Sequence, residues 1–240
     1  MSTALRAAQE GDFTRALSIW EGLARSGDAR AQNNIAACFS GGHGVVPDPE
    51  LAAKWLKLSA AGGDPVGQRN LATLYFRGEG VPQDDDEALR LYRLAADQGD
   101  AAAQDMLSWM HADRAEYGTA LTYGRLAAGQ GVAASMTRIG NFYHSALGVE
   151  RDPAEAVDWW QKASALGDAD GQAMLGAALL TGGGIGRDPV AALAWLLRAR
   201  DGGSKLAAKF IPAAMDALSP AELDEARRRA ALALEMVAPP

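Results

Sequence analysis

The chain has 240 residues, 48% of them hydrophobic and 22% charged, which is enough apolar material for a sizeable core and argues against a disordered or fibrous chain. Asp plus Glu is 30 against 23 Lys plus Arg, a formal charge of -7, and that sign disfavours a general phosphate-backbone binder, so nucleic acid is set aside. The single cysteine, Cys38, excludes an intramolecular disulfide framework and a zinc site built from several thiolates.

From Met1 to Ile19 the residues Arg6, Glu10, Asp12 and Arg15 interrupt the alanines, so no signal peptide is read, and nowhere do 18 apolar residues run together. A cytoplasmic, helix-rich protein with no membrane contact is expected. The high alanine and arginine content points to a GC-rich bacterial genome.

Thr3 to Glu10 reads as a short helix paired with a second from Phe13 to Ser26. A period then begins at Gly27 and recurs at Gly63, Gly99, Gly131, Gly167 and Gly203, at intervals of 36, 36, 32, 36 and 36. Such a period marks a stacked repeat. Eleven positions before each glycine stands an alanine: Ala16, Ala52, Ala88, Ala120, Ala156 and Ala192. A residue that small in every copy is expected where two helices touch. Large residues stand eight before the glycine, Ile19, Trp55, Leu91, Tyr123, Trp159 and Trp195. Eight after it come Ile35, Leu71, Leu107, Ile139, Leu175 and Ile211. Both sets are expected to fill the space between helices.

Asp48-Pro49, Asp152-Pro153 and Asp188-Pro189 each place a capping carboxylate before a proline suited to the first helical turn. From each, an apolar pattern at helical spacing runs to the periodic glycine, which suits the left-handed conformation that ends a helix. A second helix follows, ending in a loop such as Gly42-His43-Gly44-Val45 or Gly78-Glu79-Gly80-Val81. The third copy is four residues short between Met110 and Ala120, which predicts a tighter turn and a local change of twist. Ser219-Pro220-Ala-Glu222 opens a final amphipathic helix that is expected to end near Val237 and to cap the stack.

These pieces, namely Ala31-Gln32, Ile35-Ala36, Phe39, the Gly-x-Gly-Val loop, Asp48, Ala52 and Trp55, together resemble the Sel1-like repeat. The best copy runs from Gly67 to Asp84. The related tetratricopeptide repeat has a period of 34 and lacks this loop. Resemblance and periodicity imply the same fold: an all-α, right-handed superhelical α-solenoid of antiparallel helix pairs. The expected organisation is one domain over 1–240, with an N-terminal helix pair (1–27), five repeats of which the third is shortened (28–203), and capping helices (204–240).

Motifs that could carry chemistry have plainer readings. Gly182-Gly183-Gly184-Ile185-Gly186 follows a helix and lacks the Gly-Lys-Ser/Thr of a phosphate loop, so it reads as a repeat loop. His43, His111 and His144 fall in different copies without metal-ligand spacing. Asp84 to Glu87 reads as compensation of a helix dipole. Cys38 reads as a buried, inert thiol. Most tryptophans sit at or beside one repeat position and read as core, with Trp109 the exception. No cofactor and no catalytic residue is expected.

Positions that vary between copies are free to serve a partner. In the first helix of each pair these share one face, which lines the concave groove in α-solenoids that resemble this one. The face carries Arg30, Asn33, Asn34, Arg69, Asn70, Thr73, Arg77, Trp109, Arg138, Asn141 and His144. Asn offers donor and acceptor to an extended main chain, Arg pairs with carboxylate, and Trp109 offers an anchor. The expected function is a non-enzymatic adaptor binding a protein or peptide with acidic groups, and charge reversal at Arg69 and Arg138 is expected to weaken binding without unfolding. Two alternatives stand beside it: a hydrolase acting on a cell-wall or peptide substrate, implied by disulfide-rich secreted relatives, and a scaffold self-associating through its end faces or apolar residues such as Phe76.

Overall fold

The computed structural model describes residues 2–232. Among them are fourteen helices and no strand. They run as α1 (Ser2–Gln9), α2 (Phe13–Arg25), α3 (Ala29–Gly41), α4 (Pro49–Ala61), α5 (Pro65–Arg77), α6 (Asp85–Asp97) and α7 (Ala101–Asp113). Then come α8 (Tyr117–Gly129), α9 (Ala133–Ser145), α10 (Pro153–Ala165), α11 (Ala169–Thr181), α12 (Pro189–Asp201), α13 (Ala207–Asp216) and α14 (Pro220–Ala231). The chain is an all-α solenoid of antiparallel helix pairs. It divides into two compact units, Met1–Leu107 and Ser108–Pro240. No helix among the described residues is long and apolar enough to cross a membrane.

Most of the helices start at a side-chain cap. Asp12, Asp28, Asp48, Asp64, Asp84, Asp152, Asp168 and Asp188 stand at N-caps and accept a backbone N–H of the first turn, which typically stabilises a helix by about 1 kcal/mol. The acidic run Asp84 to Glu87 is such a start, with Glu87 N–H donating to Asp84 at 2.9 Å. At the other end every periodic glycine has positive φ, from 82° at Gly63 to 91° at Gly27. Ser219 and Glu222 form a reciprocal capping box at the start of α14. That helix ends at Ala231, and the expected end near Val237 lies outside the described residues.

Packing follows the repeat. The alanine eleven before the glycine is fully buried in all six copies. Facing it in two hairpins are Gly140 and Gly176, where an added Cβ would stand 3.0 Å from the carbonyl oxygens of Ala156 and Ala192. Small residues on both helices thus let the hairpin close tightly. The loops stack on the preceding repeat: a Cβ on Gly80 would lie 2.1 Å from the Pro49 carbonyl oxygen, and one on Gly184 equally close to that of Pro153. The Gly182 to Gly186 run is therefore this contact repeated.

One column of the sequence pattern needs correction. Of the residues eight before the glycine only Leu91 is buried, whereas Ile19, Trp55, Tyr123, Trp159 and Trp195 are half-buried. The buried column is one residue later, with Trp20, Leu56, Tyr92, Trp160 and Leu196 all under 5% exposed. These stand one helical turn from the buried alanines and point to the same side. Eight after the glycine, Ile35, Leu71, Leu107, Ile139 and Leu175 are buried as expected, and Ile211 is half-buried. The shortened third copy turns between α7 and α8 within residues 114–116, with Ala115 at φ 59°. Its counterpart between α5 and α6 takes residues 78–84.

Candidate functional site

The first helices of the pairs, α3, α5, α7, α9 and α11, carry the residues singled out from the sequence. In the first unit many of them hold neighbouring repeats together. Arg69 donates from Nη1 to both carboxylate oxygens of Asp100, at 3.0 and 3.3 Å. The side chain of Asp100 is 8% exposed and also accepts the N–H of Ala103 in α7 at 2.8 Å. Arg69 Nη2 reaches Asn70 at 3.5 Å, and Asn70 Nδ2 donates to Asn33 Oδ1 on α3 at 2.9 Å. Thr73 donates to the Arg69 carbonyl and shares a 2.9 Å hydrogen bond with the Tyr92 hydroxyl on α6. Burial pushes the Tyr92 hydroxyl above its usual value, against a smaller lowering by Thr73.

The same device recurs in the second unit with other residues. Thr137 donates to the capping carboxylate Asp168 at 2.7 Å. Trp160 donates its Nε1 hydrogen to Asn141 at 3.1 Å, as Tyr92 pairs with Thr73. At Asp100 and Asp168 a variable residue on one repeat thus donates to the capping carboxylate of the next, each bond worth about 1 kcal/mol net. Sequence reading missed this, although the spacing of 31 between Arg69 and Asp100 recurs between Thr137 and Asp168.

The eleven candidates therefore separate. Asn33, Arg69, Asn70, Thr73 and Asn141 are buried or half-buried and engaged between helices. Charge reversal at Arg69 would set a carboxylate against the buried Asp100, so the expectation that it leaves folding untouched is revised. Arg30 and Arg77 are exposed, at 4.0 Å from Asp64 and 3.7 Å from Glu79. Asn34 and Arg138 are half-buried. His144 is exposed, its ring 5.5 Å from that of Trp160. Trp109 is 42% exposed. Phe76, expected as an exposed apolar residue, is half-buried.

One buried polar group draws notice in the shortened copy. His111 is 3% exposed, its Nδ1 lies 2.5 Å from Glu116, and it stacks on Tyr123 at 5.8 Å. Its Nε2 and the nearby Ser108 hydroxyl lack partners among the described residues. They are therefore not bonded to each other. Among the described residues no three His, Cys, Asp or Glu side chains gather as a metal site would require. Cys38 is buried, and that burial raises its thiol pKa.

The model of the Sel1 repeat matches residues 29–64, 65–100, 133–168 and 169–204. The chain belongs to the Sel1 repeat family. The stretch between the second and third matches holds the shortened copy. Among solved structures this Sel1 repeat protein is similar to a protective antigen of uropathogenic Escherichia coli with an SLR fold, at 28% identity and a TM-score of 0.86. That alignment covers 91% of this chain and 48% of the antigen, so the chain spans about half of that relative's length. It is also similar to a Sel1 repeat protein from Oxalobacter formigenes, at 28% identity and a TM-score of 0.81, covering 86% of this chain and 87% of that one. No curated protein matches the chain significantly.

Proposed function

We propose that this Sel1 repeat protein is a cytoplasmic, non-enzymatic adaptor whose first-helix faces hold a protein or peptide partner. The observation that carries the reading is Trp109. A large aromatic stands 42% exposed at a repeat position filled elsewhere by Ala37, Thr73, Asn141 and Ala177. Exposed tryptophan and arginine are the side chains that most often anchor protein interfaces. Arg77 in the first unit, and Arg138 and His144 in the second, supply polar contacts on their own faces for an acidic ligand. Asn33, Arg69, Asn70, Thr73 and Asn141 position those faces from beneath. No cofactor is required, and neither nucleic acid nor membrane is the ligand.

The test is affinity capture from the native lysate with wild type, Trp109→Ala and Arg77→Glu, followed by binding of the recovered partner in purified form. The proposal expects at least a tenfold loss with Trp109→Ala, the size of a modest hot spot, while circular dichroism stays unchanged. Equal retention by all three proteins would refute it.

A further inference from the structure

A second surface, on the second helices of the pairs in the first unit, goes beyond that reading. Between α4 and α6, over α5, runs a groove of about 360 Å³. Ala60 of α4, Leu71 and Tyr75 of α5, and Leu91 and Leu94 of α6 give it an apolar lining, and Leu94 is 40% exposed. Two cations belong to the lining as well. Arg90 holds Glu87 through two hydrogen bonds of 2.7 Å, so its charge is already met. Lys57 is exposed, its Nζ 5.9 Å from the centre of the Tyr75 ring, and it forms no ion pair among the described residues.

The other copies show what belongs at such a place. Eight before the periodic glycine stand Trp55, Tyr123, Trp159 and Trp195, whereas α6 has Leu91 there. In the second unit the ring is part of the packing: Trp159 lies against the apolar cluster of α8 and α9, and Trp195 against the one built around α11 and α12. Five before the glycine a cation covers each of these rings, Lys162 at 4.4 Å from the centre of Trp159 and Arg198 at 5.0 Å from that of Trp195. On α6 that position is Leu94. Leu91 and Leu94, which stand in place of ring and cation, both line the groove.

We infer that the groove between α4 and α6 binds a tryptophan side chain of a partner protein, next to a carboxylate of the same segment. The indole enters between Tyr75 and Leu94 and supplies from outside the ring that Trp159 and Trp195 supply in their own copies. Its neighbouring carboxylate meets Lys57, the lining cation that no carboxylate of this chain neutralises. Tryptophan is among the side chains most enriched at the anchoring points of interfaces, and an ammonium at the lip attracts an aromatic face directly. Arg90, held by Glu87, takes no part.

The test uses the full chain and three fluorescein-labelled peptides that share a glycine-serine frame around Glu-Trp-Glu, Glu-Ala-Glu or Lys-Trp-Lys. Fluorescence anisotropy should show the first binding at least tenfold tighter than either of the others. Lys57→Glu, at an exposed site with no ion pair to lose, should weaken it at least tenfold. Lys54→Glu, exposed and outside the lining, should change it by less than about threefold in physiological salt. Leu91→Trp/Leu94→Lys, which copies Trp159 and Lys162, should fill the groove and abolish binding while circular dichroism stays unchanged. Equal or undetectable binding of the first two peptides, affinity unchanged by Lys57→Glu, or equal losses with Lys57→Glu and Lys54→Glu would overturn the inference. A wild-type dimer lost with both Lys57→Glu and Trp109→Ala would overturn it in favour of the exposed tryptophan of a second copy. The groove variants leave Trp109 and Arg77 in place, so failure here leaves the adaptor proposal separately testable.

Discussion

Gly80→Ala isolates the contact that stacks one repeat on the next. At Gly80 φ is 68°, and an added Cβ would stand 2.1 Å from the Pro49 carbonyl oxygen and 2.9 Å from the Glu50 nitrogen. At Gly63 φ is 82°, and a Cβ would meet nothing within 4 Å. Alanine at either site bears the left-handed backbone cost of about 1–2 kcal/mol, offset by about 0.4–1 kcal/mol from the stiffer unfolded chain. Only at Gly80 must the loop also retreat by about 1 Å from the first turn of α4, an overpacking cost of about 1–3 kcal/mol. Gly63→Ala should therefore destabilise by about 1 kcal/mol and Gly80→Ala by about 2–4 kcal/mol. Gly184→Ala against Gly167→Ala repeats the comparison in the second unit, with Pro153 as the obstacle. Urea unfolding followed by circular dichroism gives both differences. Equal losses within each pair would refute the argument that the second loop glycine exists for close approach.

The remaining expectations concern single side chains. Ala146 occupies the helix-ending position at φ 56° that Gly42, Gly78 and Gly182 fill in other copies, so Ala146→Gly should stabilise by about 1 kcal/mol and raise Tm by about 2–4 °C. Arg69→Glu should cost about 2–3 kcal/mol, read from the urea midpoint, because Asp100 then faces a like charge while capping α7; a midpoint equal to wild type would contradict the staple. The Tyr92 hydroxyl is raised above its ordinary value of 10.0 by burial. Its share of stability is therefore complete below pH 10 and lost as pH rises through the folded value. Tyr92→Phe should make the unfolding midpoint less sensitive to pH above 10, at a loss near neutrality of about 1 kcal/mol for the Thr73 hydrogen bond.

The sequence made the repeat legible because backbone conformation and close packing restrict it to few residues. Glycine recurs where φ is positive, and alanine recurs where helices touch. The register of the large column was harder, since Trp159 and Trp160, or Leu91 and Tyr92, are adjacent and both bulky. Composition does not say which of two neighbours faces inward; distance from the buried alanine does, because four residues bring a side chain back to the same face. The binding face was legible as a face but not in its roles. Variation between copies reads as freedom in the sequence, yet Arg69 and Thr137 differ while performing the same task, each donating to the carboxylate that caps the next repeat.

The measurement that tests the adaptor reading most directly is the affinity of a purified, captured partner for wild type, Trp109→Ala and Arg77→Glu, with folding checked on each sample. The account predicts at least a tenfold weakening with Trp109→Ala and a salt-dependent weakening with Arg77→Glu. Unchanged affinity for both variants would contradict it and place the partner elsewhere on the molecule.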